Sequence, residues 1–245
     1  MTKRLNNRIA LITGASRGIG RAVALKFAAE GAHVILLART VGALEEADED
    51  IRALGGKATL VPLDLKDVAG IDRLGASIYE RWGRLDILVG NAGILGSIAP
   101  LGHVSPKEWD DLLAINITAN WRLIRAMDPL LRRSKAGRAI FVTSGAAKNL
   151  RPFWGGYATT KAALEALVGT YAAECGHTAI RVNLVNPGAT RTAMRAQAVP
   201  GEDPASLPSP QDVAGLFVEL ASEHETRHGE TVVFQRQAGR RQSET

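Results

Sequence analysis

The chain has 245 residues, 46% of them hydrophobic and 22% charged, with a formal net charge of +5. That is the composition of a soluble globular protein long enough to bury a sizeable core without covalent staples. A single cysteine, Cys175, excludes an internal disulfide, and no run of 18 or more uncharged apolar residues offers a membrane span or signal core. A cytoplasmic protein with no membrane partner is expected. Basic and acidic residues interleave, so no nucleic-acid surface is expected; the one basic cluster, "RQAGRRQSET" over 236–245, reads as a frayed, solvated tail.

Short apolar runs alternate with helical stretches. "RIALIT" (Arg8 to Thr13) reads as a strand and "GIGRAVALKFAAEG" as a helix closed by Gly31. "HVILLA" (His33 to Ala38) is the second strand, "VGALEEADEDIRALGG" the second helix, and "ATLVPL" (Ala58 to Leu63) the third strand. A helix over Val68 to Trp82 leads to "LDILVG" (Leu85 to Gly90). In the next helix Ser105 suits the N-cap, Pro106 the first position, and Glu108 a reciprocal capping box. The fifth strand is Arg138 to Ser144, followed by a helix from about Gly156 to Glu174 and a sixth strand, Ile180 to Pro187. Ser209 before Pro210 repeats the cap signal, and Glu230 to Phe234 makes a seventh strand.

Strands apolar throughout and separated by helices predict a parallel sheet covered on both faces. The fold class is therefore α/β: one doubly wound, Rossmann-type domain over 1–235, with about seven strands. The stretch 189–208 lacks clear periodicity and is expected to act as a substrate lid.

The first strand runs into "TGASRGIG" and then a helix. Gly14, Gly18 and Gly20 let the backbone turn sharply, and the helix start offers unpaired N–H groups, so Gly14, Ser16, Arg17, Gly18, Ile19 and Gly20 are read as a pyrophosphate cradle. At the end of the second strand stands Arg39, with no acid beside it in sequence; with Arg17 it favours the 2′-phosphate of NADP(H) over the free hydroxyl of NAD(H). Asp64, with Leu65 beside it, either meets the adenine amine or caps the following helix. "GNAG" supplies Asn91, Ala92 and Gly93, small enough for the backbone to lie against a ribose.

Tyr157 and Lys161 are four apart and share a helix face. An ammonium near a phenol favours the phenolate, so the pair is expected to bring Tyr157 toward usable general acid–base range. Ser144 ends the fifth strand, where ligands of such sheets bind. Asn116, inside a long helix, bends it, holds a water or is simply solvated. Phe153 and Trp154 either wall an apolar pocket or serve as core. No metal site is expected.

In chain order, "TGASRGIG", Asp64, "NAG", Asn116, Ser144, "YATTK" and "PGATRT" resemble the short-chain dehydrogenase/reductase family, with 3-oxoacyl-carrier-protein reductases among the similar members. The resemblance implies a catalytic tetrad of Asn116, Ser144, Tyr157 and Lys161. Tyr157 would protonate a carbonyl oxygen as hydride arrives from the nicotinamide, and Ser144 would hydrogen-bond that oxygen. Lys161 would hold the ribose hydroxyls, and Asn116 would anchor a water relay. Pro187, Gly188, Thr190 and Thr192 would meet the carboxamide, with transfer from the pro-S face. It also implies a homodimer or homotetramer and a small carbonyl or alcohol substrate, free or carrier-bound. Arg191 and Arg195 either suit an acidic carrier protein or are solvated lid residues. The C-terminal "VVFQRQAGRRQSET" departs from the glycine-rich end of many relatives.

Overall fold

The computed structural model describes residues 3–236. The tail expected over 236–245 therefore lies outside the described residues from 237 onward. Seven strands form one sheet: β1 (Ile9–Thr13), β2 (His33–Ala38), β3 (Lys57–Pro62), β4 (Ile87–Gly90), β5 (Arg138–Val142), β6 (Arg181–Asn186) and β7 (Thr231–Val233). Every pairing is parallel, in the order β3-β2-β1-β4-β5-β6-β7. The chain winds outward from β1 to β3, then restarts at β4 on β1's other side. That reversal opens a crevice above the C-terminal strand ends.

The helices are α1 (Gly18–Ala29), α2 (Val41–Ala53), α3 (Val68–Trp82), α4 (Pro106–Leu113), α5 (Ala119–Leu131), α6 (Gly155–Glu174), α7 (Ala193–Ala198) and α8 (Pro210–Ala221). Alternate residues of one strand feed opposite cores. Ala10 and Ile12 of β1 join Phe27 of α1, Leu44 of α2 and Phe217 of α8 on one face. Leu11 joins Ile71 of α3, Leu123 of α5 and Leu164 of α6 on the other. Central strands buried on both faces read as unbroken apolar runs for this reason.

The structure departs from the sequence expectations in three places. The Ser209 cap is a complete box with Asp212, but at α4 only half of one forms: Ser105 accepts from the Glu108 N–H, while the Glu108 carboxylate is taken by the Ser97 N–H and hydroxyl. A loop partner out-competes the local one. Residues 114–118, between α4 and α5, are a π-helical turn, and Asn116 sits within it. The stretch 189–208 contains α7, capped by Thr192, and a 3-10 turn at Pro204–Ser206.

Candidate active site

The glycine turn is built by sterics. Gly14 and Gly18 hold φ of 66° and 58°, a region that favours glycine. A Cβ at Gly20 would lie 2.3 Å from the Gly14 carbonyl oxygen and 2.5 Å from Asn91 Nδ2, so no side chain fits there. Thr13 clasps the floor: its hydroxyl donates to Val89 O (3.2 Å) and accepts from the N–H groups of Asn91 and Ala92 (3.0 Å each). Asn91 Nδ2 returns to Thr13 O at 2.8 Å, locking the ends of β1 and β4 together. The first turn of α1 carries no acid, and Arg17 at its N-cap makes no side-chain cap bond. Its leading N–H groups and two guanidinium-bearing residues therefore suit a phosphate-rich ligand.

A crevice of about 720 Å³ runs along these strand ends. It is lined by Gly14, Ser16, Arg17, Gly18, Ile19, Arg39, Asp64, Leu65, Asn91, Ala92 and Gly93, then by Ser144, Tyr157, Lys161, Pro187, Gly188, Thr190 and Thr192. Of the residues singled out in sequence as site candidates, Gly20, Asn116, Phe153 and Arg191 do not line it. Arg39 does have an acid near it in space: Asp64 Oδ2 lies 4.0 Å from Nη1, because β3 runs beside β2. Asp64 does not cap α3. Asp67 does, accepting from Gly70 N, while Asp64 Oδ1 accepts from Lys66 N. That removes the capping alternative and leaves Asp64 at the crevice.

The other end is assembled by three consecutive residues of β5 and its exit. Lys161 Nζ donates to Val142 O at 2.8 Å, Thr143 Oγ1 donates to Glu165 Oε1 at 2.9 Å, and Ser144 faces Tyr157. Lys161 is buried, and its Nζ lies 5.7 Å from the centre of the Tyr157 ring. Burial pushes the phenol up to about 12, with the Ser144 hydroxyl pulling the other way, and pushes the Lys161 ammonium down to about 8. In the protein alone the Tyr157 phenol is therefore raised rather than lowered: burial outweighs the Ser144 hydrogen bond that opposes it. The phenol holds its proton at neutral pH.

Asn116 is fully buried and not solvated. Its Nδ2 donates to Ile94 O (2.9 Å) and Thr160 Oγ1 (3.0 Å), and its Oδ1 accepts from Ile94 N (2.9 Å). The amide therefore pins the segment after β4 to α6, one residue before Lys161. Its two N–H donors are both committed, so any water held here would have to meet an oxygen.

Sequence reasoning missed several lining residues. Lys66 and Asp111 pair across the crevice rim from positions 45 apart, a contact with no local signal. Leu95 lines it from the loop after β4, and Met194 from α7. Arg195 also lines the crevice, but its guanidinium grips Glu202 in bidentate fashion, at 2.6 and 2.7 Å. Trp154 stands at the crevice, edge-on to Tyr157 with ring centres 6.3 Å apart, which answers the pocket-or-core question for that residue in favour of the pocket wall.

A sequence profile described as short chain dehydrogenase matches residues 8–203. The uncharacterised oxidoreductase YciK of Escherichia coli K12 is 38% identical over 240 residues, 97% of this chain and 94% of that one. A short-chain dehydrogenase of Shigella flexneri 2a, solved in complex with NADP, is 38% identical with a TM-score of 0.91, over 95% of this chain and 99% of that one. One from Escherichia coli CFT073, complexed with NADPH, is 37% identical with a TM-score of 0.89, over 95% and 98%. Together with the crevice and its glycine turn, these likenesses establish that the chain belongs to the short-chain dehydrogenase family of oxidoreductases.

Proposed function

We propose that this chain is an NADP(H)-preferring oxidoreductase that transfers hydride between the nicotinamide and a carbonyl or secondary-alcohol carbon, with Tyr157 exchanging the proton on oxygen. The observation that carries the reading is one crevice with two chemistries: Arg17 and Arg39 at one end, and Ser144, Tyr157 and Lys161 at the other. The cofactor, when bound, supplies or accepts the hydride.

The chain's own residues do the rest. The N–H groups of α1 and the glycine turn receive the pyrophosphate, and Arg17 and Arg39 bind the 2′-phosphate. Asp64 and Leu65 would flank the adenine, Asn91 to Gly93 would lie along the ribose, and Pro187, Gly188, Thr190 and Thr192 would orient the carboxamide. In the reductive direction Tyr157, protonated at neutral pH, donates to the substrate oxygen, and Ser144 hydrogen-bonds the same atom. Lys161 stabilises the phenolate left behind and steadies the ribose hydroxyls. Asn116 holds the geometry from behind. Relatives solved in complex with NADP and NADPH support the cofactor choice.

The chain is read as one domain over 1–235, with 189–208 as the substrate lid. Among the described residues no helix is long and apolar enough to cross a membrane. A cytoplasmic placement is part of the proposal. A homodimer or homotetramer is supported by the exposed Trp121 on α5 and by the exposed small residues Ala162, Ala166 and Gly169 on α6. Within the substrate range, a free ketone stands ahead of a 3-oxoacyl thioester on a carrier protein. Arg195 is closed off by Glu202, leaving exposed Arg191 as the remaining member of the pair proposed to meet an acidic carrier.

The test is a reductase screen with NADPH over diketones, quinones, sugars, steroids and acetoacetyl thioesters. Tyr157→Phe should cut kcat by about 10²- to 10⁴-fold while NADPH still quenches intrinsic fluorescence with an unchanged Kd. Full activity in that variant would break the assignment.

A further inference from the structure

Ten large apolar side chains are exposed among the described residues, and five of them stand on just three segments: Ile98 and Leu101 after β4, Leu150 and Phe153 after β5, and Met194 on α7. All three segments leave the sheet at the crevice end. Single exposed apolar residues are ordinary, but clustering beside a site is not.

Their backbones are held in place. Ala99 N donates to Phe153 O at 3.0 Å, Ile94 N to Asn116 Oδ1, and Ser97 to Glu108. A Cβ at Gly155 would lie 2.7 Å from Leu101 Cδ1, so the first loop packs directly on the start of α6. Phe153 holds φ of 73°, a left-handed conformation that a bulky residue adopts only under constraint, and it is still 55% exposed. Neither core burial nor turn geometry accounts for a phenylalanine there, since glycine would fit the backbone better. Trp154, the next residue, lines the crevice beside Tyr157, and Met194 lines it from the lid while remaining partly exposed. The rim thus adjoins the reaction site through Trp154 and Met194. Of the charges near it, Arg195 and Glu108 are already partnered, while Lys148 and Arg151 flank Leu150 in sequence.

We infer that this rim receives an extended apolar portion of the carbonyl substrate, so that the preferred substrates are ketones, or the matching secondary alcohols, bearing a long uncharged hydrocarbon group. The inference rests on the oxidoreductase reading of the same crevice and narrows its substrate class. Small polar ketones and sugars would leave the rim wet and gain nothing from it.

The experiment is a series of 2-alkanones from butanone to dodecanone. Binding to the NADP⁺-loaded protein is measured by calorimetry, and turnover by NADPH oxidation. Affinity and kcat/KM should rise by up to about fourfold per methylene through the middle of the series, the gain for a CH₂ leaving water. The double variant Leu150→Ser/Phe153→Gly should lose about tenfold for dodecanone and nothing for butanone. Its melting temperature should hold or rise, because Leu150 is 83% exposed and glycine relieves the φ of residue 153. A flat series overturns the inference while leaving the reductase reading intact. Chain-length-dependent binding with no turnover of any ketone keeps the inference about the rim and breaks the reductase reading. Equal losses for butanone and dodecanone, with a lowered melting temperature, would show the two side chains to be structural. Lys148 and Arg151 flank Leu150, so anionic vesicles and light scattering are the controls. Vesicle binding or a change of mass that depends on Leu150 would assign the rim to a membrane or a second copy, and the inference falls.

Discussion

At the N-terminal end of the sheet, Arg138 directs its N–H groups at the carbonyl oxygens of Gly137, Ala179, Ser222, Glu223 and Glu225. At the C-terminal end of the same region, Lys161 has a single partner among the described residues, Val142 O. Both cations are buried, and burial lowers both, Arg138 to about 10 and Lys161 to about 8. The arginine stays charged and ties the end of α8 to β5. The lysine keeps donors to spare and sits close to the pH at which it trades its proton. A saturated buried cation serves the fold; an undersaturated one at a crevice is available for chemistry.

The sharpest way to break this contrast is to replace each cation by methionine. Lys161→Met should reduce turnover by at least about 10²-fold and leave the melting temperature unchanged or higher, since a poorly solvated charge is removed. Arg138→Met should do the reverse, costing about 3 kcal/mol in chemical denaturation through orphaned carbonyls, with kcat per folded molecule intact. Matching effects in the two variants would erase the distinction.

A pH series sharpens it further. The folded Lys161 pKa, near 8, lies below its ordinary 10.5, so between these values the unfolded chain holds a proton that the folded one has lost. Stability contributed through Lys161 therefore rises from pH 8 toward 10.5. Tyr157, raised from 10 to about 12, acts oppositely above pH 10, where the unfolded chain loses its proton first. The melting temperature of the wild type minus that of Lys161→Met should grow between pH 8 and 10; a flat difference would mean that burial does not shift the lysine.

The smallest effect concerns an exposed cation at the crevice. Arg39, with its side chain 68% exposed, should matter to one ligand group and hardly to the fold. Arg39→Ser should lower the NADPH-to-NADH affinity ratio by about three- to tenfold, read by fluorescence titration, with no change in melting temperature. An unchanged ratio would leave the 2′-phosphate to Arg17 alone.

The sheet was legible because burial on both faces makes each central strand an unbroken apolar word, and the glycine turn because its sterics allow no other residue. The Ser209 box was legible because both partners lie within one turn. What escaped was non-local. Glu108 looked like a cap until Ser97, eleven positions upstream, claimed its carboxylate. Arg39 looked free of acids until strand pairing brought Asp64 beside it. Arg138 begins the fifth strand, and nothing near it in sequence announces the carbonyls of residues 222, 223 and 225. Tyr157 and Lys161 could be paired by spacing, but the depth of their burial, which reverses the expected effect on the phenol, is a property of the packed molecule.

The wide turn at residues 114–118 has one more consequence. Its i to i+5 bonding takes up a residue beyond what an ordinary helical turn needs. A chain shortened by one residue there would close into regular helix and still dock Leu123 and Met127 on the sheet. The aim of the Asn116 amide, and of Ile115 at the crevice wall, would change. The surplus residue has the form of an insertion kept for what it orients, at a point where length can change without changing the architecture.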